Sequence, residues 1–235
     1  MCAGDGRVKP DHDGRVGPRV LHRAAPARHF VSPESQKTGT DSDMPRLFTA
    51  LEIPAEVASA LTLHRGGLAG ARWIDPADYH ITLRFLGDVD RRTANDLDEF
   101  LGDIRNYPFD VTLDSLATFG GDKPRSVFAR VQPNARLTEL QGDLERLMRK
   151  LGLPAESRKF VPHVTLARLR DTAPADVAHY LSLHPIVRPI SFTARRLALM
   201  SSRDSVGGGP YVLEAAYPLG PAYPNRPLRG EFQRR

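Results

Sequence analysis

Between residues 44 and 219 two hydrophobic periods alternate along the chain. A two-residue period marks strands, because successive side chains point to opposite faces, and a 3.6-residue period marks helices. On this reading Arg46–Glu52 is a strand and 54–69 a helix opened by Pro54, where a missing backbone N–H costs nothing. Residues 80–87 form a strand and 90–105 a helix; Phe109–Phe119 and 126–132 are strands joined by a Gly120-Gly121-Asp122 turn. Residues 135–151 read as a helix with Leu137, Leu140, Leu144, Leu147 and Leu151 at helical spacing, stopped by Gly152. A strand at 161–169 and a short helix at 175–183 follow. Strands at 190–200 and 211–217 close the pattern as a hairpin across Gly207-Gly208-Gly209. Helices mixed with strands that adjoin in hairpins predict an α+β fold with mainly antiparallel sheets, not a doubly wound parallel one.

Composition narrows the classes. The chain has 235 residues, 40% of them hydrophobic and 26% charged, enough for a real core. No apolar run approaches the ~18–20 residues of a membrane helix, so no membrane association is expected. Cys2 is the only cysteine, which excludes a disulfide framework and any Cys-based metal site. The N-terminal MCAGDGRVKPDHDG has no apolar segment of a signal peptide, and the cytoplasm is the expected compartment. A net charge of +5 and a pI near 9.6 are compatible with a polyanionic partner without demonstrating one.

Residues 1–43 are rich in Gly, Pro, Arg, His and Asp and show no period, so they cannot offset their ordering entropy. They are expected to be a disordered or non-native extension, with Met44 as the functional start. Residues 44–219 are expected to be a single domain. Residues 220–235, with four Arg against one Glu, read as a flexible basic tail, which is either a solvated terminus or a surface for phosphates.

One internal repeat carries chemistry. His80-Ile81-Thr82-Leu83-Arg84-Phe85-Leu86 matches His163-Val164-Thr165-Leu166-Ala167-Arg168-Leu169 at four of seven positions. Random placement at this composition yields roughly 0.05 copies of His-x-Thr-Leu. A helix precedes and follows each copy, so the chain reads as two similar lobes, each contributing one strand. Strict alternation puts His80 and Thr82 on one face and Ile81, Leu83 and Phe85 on the other, and it divides the second copy in the same way. If the lobes are related by a pseudo-two-fold axis, both His–Thr pairs meet at one cleft.

Two histidines suit phosphodiester chemistry. Imidazole titrates near neutral pH, so one can take a proton from an attacking hydroxyl while the other protonates the leaving oxygen. Threonine hydroxyls can donate to non-bridging phosphate oxygens as charge grows there. A two-histidine metal site is the chemical rival and would need a third ligand, for which Asp75, Asp78 and Asp88 are the nominees; no metal-ligand spacing supports it. Gly120–Ser126 lacks the spacing of a phosphate-binding loop, so no nucleotide cofactor is expected.

The sequence resembles the two-histidine phosphoesterases and, among them, the bacterial RNA 2′,3′-cyclic phosphodiesterases, also called 2′-5′ RNA ligases. Arg46–Pro54 looks like that group's opening strand. Gly70-Ala71-Arg72-Trp73 with His80–Gly87 looks like its first motif region and Phe160–Arg168 like its second, while 211–219 fits its last strand. The resemblance covers about 44–219. It implies a bilobal, duplicated fold with pseudo-two-fold symmetry, sheets facing a central cleft and helices outside. It also implies metal-independent hydrolysis of a 2′,3′-cyclic phosphate to a 2′-phosphomonoester, with 2′-5′ ligation as the reverse. By this resemblance His80 is the proton donor, His163 the proton acceptor, Thr82 and Thr165 hold the phosphate, and Arg168 helps to bind it. Strict alternation faces Arg168 away from His163, so a twist or bulge must bring it round. Phe48 either stacks on a base or packs in the core. The expected partner is RNA with a 2′,3′-cyclic phosphate end, the expected state a monomer with no metal and no cofactor. A catalytically idle RNA-end binder, and a phosphodiesterase for small cyclic nucleotides or ADP-ribose 1″,2″-cyclic phosphate, remain the alternatives. Limited proteolysis should digest 1–43 before cutting beyond Met44; a protected 1–43 segment contradicts that assignment.

Overall fold

The computed structural model of the protein describes residues 46–104, 106–202 and 209–220. The expectations for 1–43, for the tail beyond Gly220 and for the 203–208 loop fall outside the described residues. Nine strands are described: β1 (Arg46–Glu52), β2 (Ala71–Trp73), β3 (His80–Asp88), β4 (Phe109–Phe119), β5 (Ser126–Val131), β6 (His163–Leu169), β7 (Ile190–Ala194), β8 (Arg196–Ser202) and β9 (Tyr211–Pro218). Four α-helices accompany them: α1 (Ala55–Thr62), α2 (Arg91–Asp103), α3 (Ala135–Lys150) and α4 (Pro174–Leu183). A single turn of 3₁₀ helix, Pro76–Asp78, precedes β3. No helix among the described residues is long and apolar enough to cross a membrane.

The helices start where local chemistry lets them. Asp90 caps α2 by accepting the Thr93 N–H at 2.8 Å, and Asn134 caps α3 by accepting the Leu137 N–H at 3.0 Å. Arg149 and Lys150 complement the dipole at the C-terminal end of α3. The buried ridge of α3 is Leu137, Leu140, Leu144 and Met148, with Leu147 only half-buried and Leu151 already the cap residue. Leucine counting therefore selects the wrong fourth member; the i+4 step from Leu144 lands on Met148.

Two expectations need correction. Helix α1 ends at Thr62 rather than near 69. Gly66 and Gly67 take φ +100° and +72°, outside the right-handed helix, and Leu68 turns into a cluster with Val127, Ala167, Val177 and Tyr180. The expected strand 190–200 is two strands parted at Arg195. β7 pairs with β4 at one edge of the sheet, while β8 pairs with β1 and β9 in the other half. A two-residue period runs through both pieces, so the pattern carries no mark of the change of partner. The closing hairpin is accordingly β8–β9 alone. β2, only three residues long, is too short for any period to reveal.

The sheet order is β7-β4-β5-β6-β3-β1-β8-β9, with β2 added to β6, and every strand pair is antiparallel. The chain repeats strand, helix, motif strand, helix as β1-α1-β3-α2 and again as β5-α3-β6-α4. Each series then sends its next long strand into the other half: β4 joins β5, and β8 joins β1. The two halves meet where β3 and β6 pair at Ile81 and Val164. Beneath one face lies the main core, in which Ile81, Leu83, Val164 and Leu166 meet Leu61, Leu97, Leu101 and the α3 ridge. The opposite face of the seam is open. Leu140, fully buried in that ridge, should cost roughly 2–5 kcal/mol of stability when replaced by alanine, read as a lower urea midpoint at unchanged slope.

Candidate active site

The register at the seam fixes the geometry. With Ile81 opposite Val164 in an antiparallel pair, the same register continued by one step sets His80 against Thr165 and Thr82 against His163. Directly opposed residues share a face, so these four side chains form a square on the open face, with the histidines on its diagonal. Diagonal positions across such a pair lie roughly 7–8 Å apart, a gap that fits one phosphate. All four line a cleft of about 1010 Å³ together with Phe48, Asp78, Phe85, Phe119, Arg158, Lys159, Arg168 and Tyr211.

The duplication extends to the packing of each ring. His80 Nδ1 lies 2.7 Å from the Asp78 carbonyl oxygen, and His163 Nδ1 lies 2.7 Å from the Val161 carbonyl oxygen. A carbonyl only accepts, so each Nδ1 carries a proton and donates, which leaves each Nε2 as the reactive nitrogen. Phe48 sits 5.1 Å from the His80 ring, and Phe128 5.1 Å from the His163 ring. Tyr211 meets His80 edge-on at 4.8 Å, as Phe119 meets His163 at 4.8 Å. Asp78 also accepts the Tyr211 backbone N–H at 3.1 Å, which ties the last strand to the His80 side. Burial first, then the neighbouring charges, pushes both imidazoles below their ordinary pKa. His163 and Arg168 lower His80, Arg168 lowers His163, and the carbonyl hydrogen bonds partly oppose the shift.

Beyond the square, both motif strands bulge at the same step. On β6, Phe128 opposes Thr165 but Val127 opposes Ala167, so Leu166 is the extra residue. Leu166 and Ala167 are both buried, and Arg168 returns to the cleft face beside His163 and Thr165. The bulge required by the sequence is therefore present. On β3, Ala50 opposes Thr82 but Thr49 opposes Arg84, so Leu83 is the extra residue there. The assignment of Phe85 to the buried face is corrected by this step. Phe85 is 47% exposed in the cleft, and the Arg158 guanidinium lies 5.4 Å from its ring centre. Phe85 thus occupies in the first copy the place of Arg168 in the second.

Phe48 is 2% exposed, packed against His80, Phe85 and Tyr211. It is a buried support beneath His80, not an open platform. The nominated carboxylates have other tasks: Asp75 accepts the Ala77 N–H at 2.9 Å, Asp78 holds Tyr211, and Asp88 faces Arg46 at 3.8 Å. Among the described residues no group of three or more His, Cys, Asp or Glu side chains is placed to hold a metal ion.

Sequence reasoning missed Tyr211, Phe119 and Phe128 as walls of the histidines, since nothing local marks an aromatic residue that packs on a distant ring. It also missed the 152–162 segment as a wall of the cleft. Arg84, at the position of Ala167 in the repeat, explains how that wall is held. The Arg84 side chain is buried, its Nε lies 2.7 Å from Glu145 of α3, and its guanidinium donates to the Phe85 and Pro154 carbonyls. The same segment carries Glu156 and Arg158, paired by two side-chain hydrogen bonds that hold the Glu156 carboxyl down to about 2.

The sequence profile of the 2′-5′ RNA ligase superfamily matches residues 68–205. The chain is 31% identical over 154 residues to an RNA 2′,3′-cyclic phosphodiesterase of Aquifex aeolicus, covering 63% of this chain and 82% of that protein. It is 34% identical over 128 residues to an RNA 2′,3′-cyclic phosphodiesterase of Geobacillus stearothermophilus. That alignment covers 52% of this chain and 41% of the relative, so the chain spans less than half of that protein's length. Among solved structures, E. coli LigT complexed with 3′-AMP superposes with a TM-score of 0.62 at 26% identity, covering 74% of this chain and 98% of that one. Because Arg168 depresses both imidazoles, Arg168→Gln should move both upward in an NMR titration; unmoved titrations would remove the guanidinium from the site's electrostatics.

Proposed function

This chain belongs to the 2′-5′ RNA ligase superfamily, and from that premise we propose that it hydrolyses the 2′,3′-cyclic phosphate end of RNA to a 2′-phosphomonoester. The observation that carries the reading is the square of His80, Thr165, Thr82 and His163 on the open face of the seam. In the proposed step, His163 Nε2 takes a proton from water as the water oxygen attacks phosphorus. The P–O3′ bond breaks, and His80 Nε2 gives its proton to the departing 3′ oxygen. The products are a 3′-hydroxyl and a phosphate held on the 2′ oxygen. Thr82 and Thr165 donate hydrogen bonds to the non-bridging oxygens, and the Arg168 guanidinium balances their charge. The roles of donor and acceptor follow the family resemblance.

Every task in this step falls to a side chain of the cleft, so the proposed step calls for neither a metal nor a nucleotide cofactor; the same reading takes the protein as a monomer of the cytoplasm. Residues 44–219 are the catalytic domain. When the 5′-hydroxyl of a second RNA replaces water, the same displacement joins the strands through a 2′-5′ linkage. A binding module for RNA ends would have no use for two reactive Nε2 atoms on one diagonal, which favours the enzyme.

Turnover of an RNA ending in a 2′,3′-cyclic phosphate is the test. His80→Ala and His163→Ala should each lower kcat by ~10²–10⁴-fold, and the double variant should lose far less than the product of the two. Full activity in either variant would remove the mechanism, and inhibition by EDTA would bring in a metal.

The pH dependence has a definite sign. Both free imidazoles titrate below 6.5, and the reactive form carries one proton on the pair. The kcat/KM profile should therefore be a bell with its optimum on the acid side of 6.5, falling on the alkaline side as the donor loses its proton. The bound phosphate favours the imidazolium, so the kcat optimum should lie at higher pH.

A further inference from the structure

We propose that the Asp78 carboxylate biases the catalytic proton toward His80 and so makes that ring, rather than His163, the acid of the reaction. This rests on the reading above and gives the division of roles a cause within this chain. Asp78 is a positioning residue, because it acts through His80 and not on the substrate.

The repeat isolates the effect. In both copies the residue two places before the histidine supplies the carbonyl that accepts the Nδ1 proton, at 2.7 Å in each. The backbone therefore treats the two rings alike. The side chains do not, since Asp78 stands in the first copy where Val161 stands in the second. Both line the cleft, one with a carboxylate and the other with an aliphatic group.

The carboxylate is held in place without being neutralised. It accepts the Tyr211 backbone N–H at 3.1 Å, and Gly209 packs so closely that a side chain there would overlap it. Tyr211 in turn lies edge-on to the His80 ring at 4.8 Å. An amide N–H carries no net charge, and among the described residues no Lys or Arg forms an ion pair with Asp78.

The other charges around the two rings are balanced locally or act on both. Glu52 lies opposite His80 on β1, but Arg196 donates to it at 2.9 Å. Arg130 lies opposite His163 on β5 and is bonded to Asp114 through two hydrogen bonds of 3.1 Å. Arg46 faces Asp88, and Arg84 faces Glu145. Phe48 and Tyr211 meet His80 as aromatic rings. The segment leading into β6 brings to the cleft the cation Lys159 and the Arg158–Glu156 pair, and Arg168 depresses both imidazoles. Burial, the largest influence on either ring, encloses His80 more deeply than His163. Burial by itself would therefore leave a shared proton on His163. A carboxylate nearby favours the imidazolium, and Asp78 raises His80 while no carboxylate raises His163. It pulls the proton back toward the ring that has to give it away.

The consequence for rate falls on one limb of the pH profile. The productive form has His80 charged and His163 neutral. Its population depends on the proton affinity of His80 on the alkaline side and on that of His163 on the acid side. Loss of the Asp78 charge should lower the alkaline limb and leave the acid limb in place.

The test is Asp78→Asn in the full chain. Asparagine has the same shape, its Oδ1 can still accept the Tyr211 N–H, and the main-chain carbonyl for His80 is untouched, so the charge is what is lost. With an RNA dinucleotide ending in a 2′,3′-cyclic phosphate, kcat/KM should fall roughly three- to tenfold on the alkaline limb and stay unchanged on the acid limb. In an NMR titration of the free protein, His80 should titrate at lower pH than in the unaltered chain and His163 at the same pH. Asp78→Glu, which keeps the charge, should retain more of the alkaline limb than Asp78→Asn. Equal losses at every pH mark a merely structural role. That result, a shift of the acid limb, an unmoved His80 titration, or a glutamate variant no better than asparagine overturns the proposal. Should Asp78→Asn fail to fold, Asp78→Ser takes its place in both measurements. If the unaltered chain leaves the dinucleotide intact at every pH, the catalytic reading fails on its own, and the NMR titration still decides whether Asp78 acts on His80.

Discussion

The pairing of Ile81 with Val164 is the constraint on which the site depends, because it is the point where two half-sheets from distant parts of the chain become one surface. A slip of either motif strand by one residue in that register would turn its His–Thr pair into the core and expose its aliphatic face instead. The core prevents this. Ile81, Leu83, Val164 and Leu166 are all at most 3% exposed, and each faces the leucine ridges of the outer helices. The aliphatic faces of the motif strands thus act as the register lock for the polar ones. The hydrophobic effect, which has no direction of its own, sets the diagonal of two imidazoles through the alternation of the strand.

The halves are copies in more than topology. Carbonyl, buried phenyl and edge-on aromatic surround each histidine at matching distances, and each motif strand bulges one residue past its threonine. A symmetric pair of imidazoles cannot by itself distinguish donor from acceptor. The asymmetry enters where the bulges deliver their next residue to the cleft: a cation, Arg168, from one copy and an aromatic ring, Phe85, from the other. One end of the cleft is thereby given a guanidinium, and the other an aromatic face flanked by Arg158. On the proposed reading, a substrate with a phosphate at one end and a base at the other has one favourable orientation, and that orientation would assign the roles of the two histidines.

Much of this was legible in the sequence. The duplicated heptapeptide gave both histidines, both threonines and the α+β class, since a two-residue period beside 3.6-residue ridges leaves few alternatives. What stayed hidden depends on pairing. Phe85 was misassigned because strict parity ignores the bulge at Leu83, although the same argument had demanded a bulge for Arg168; applying the repeat to itself would have placed both residues. The split at Arg195 and the short β2 were invisible because strand partners, not strand patterns, define them. Helix α1 was overextended because apolar Leu63 and Leu68 continue a helical spacing that Gly66 and Gly67 break in the backbone.

Electrostatics joins these elements into a device that depends on its substrate. In the free site, burial and Arg168 hold both imidazoles below their ordinary pKa, which disfavours the protonated form that the proposed step needs on one of them. A phosphodiester carries the opposite charge. At ~4 Å and an effective dielectric of ~20 its attraction for an imidazolium is on the order of 4 kcal/mol, whereas one pKa unit corresponds to about 1.4 kcal/mol. The incoming anion can therefore outweigh the depression that the empty cleft imposes. Arg168 has two effects in this balance, since it attracts the phosphate while it holds down the proton affinity of both rings. Neutralised by the phosphate, it no longer does the second. In the proposed step, substrate binding and loading of the catalytic proton are then one event, and a ligand without charge at phosphorus would occupy the cleft without arming it.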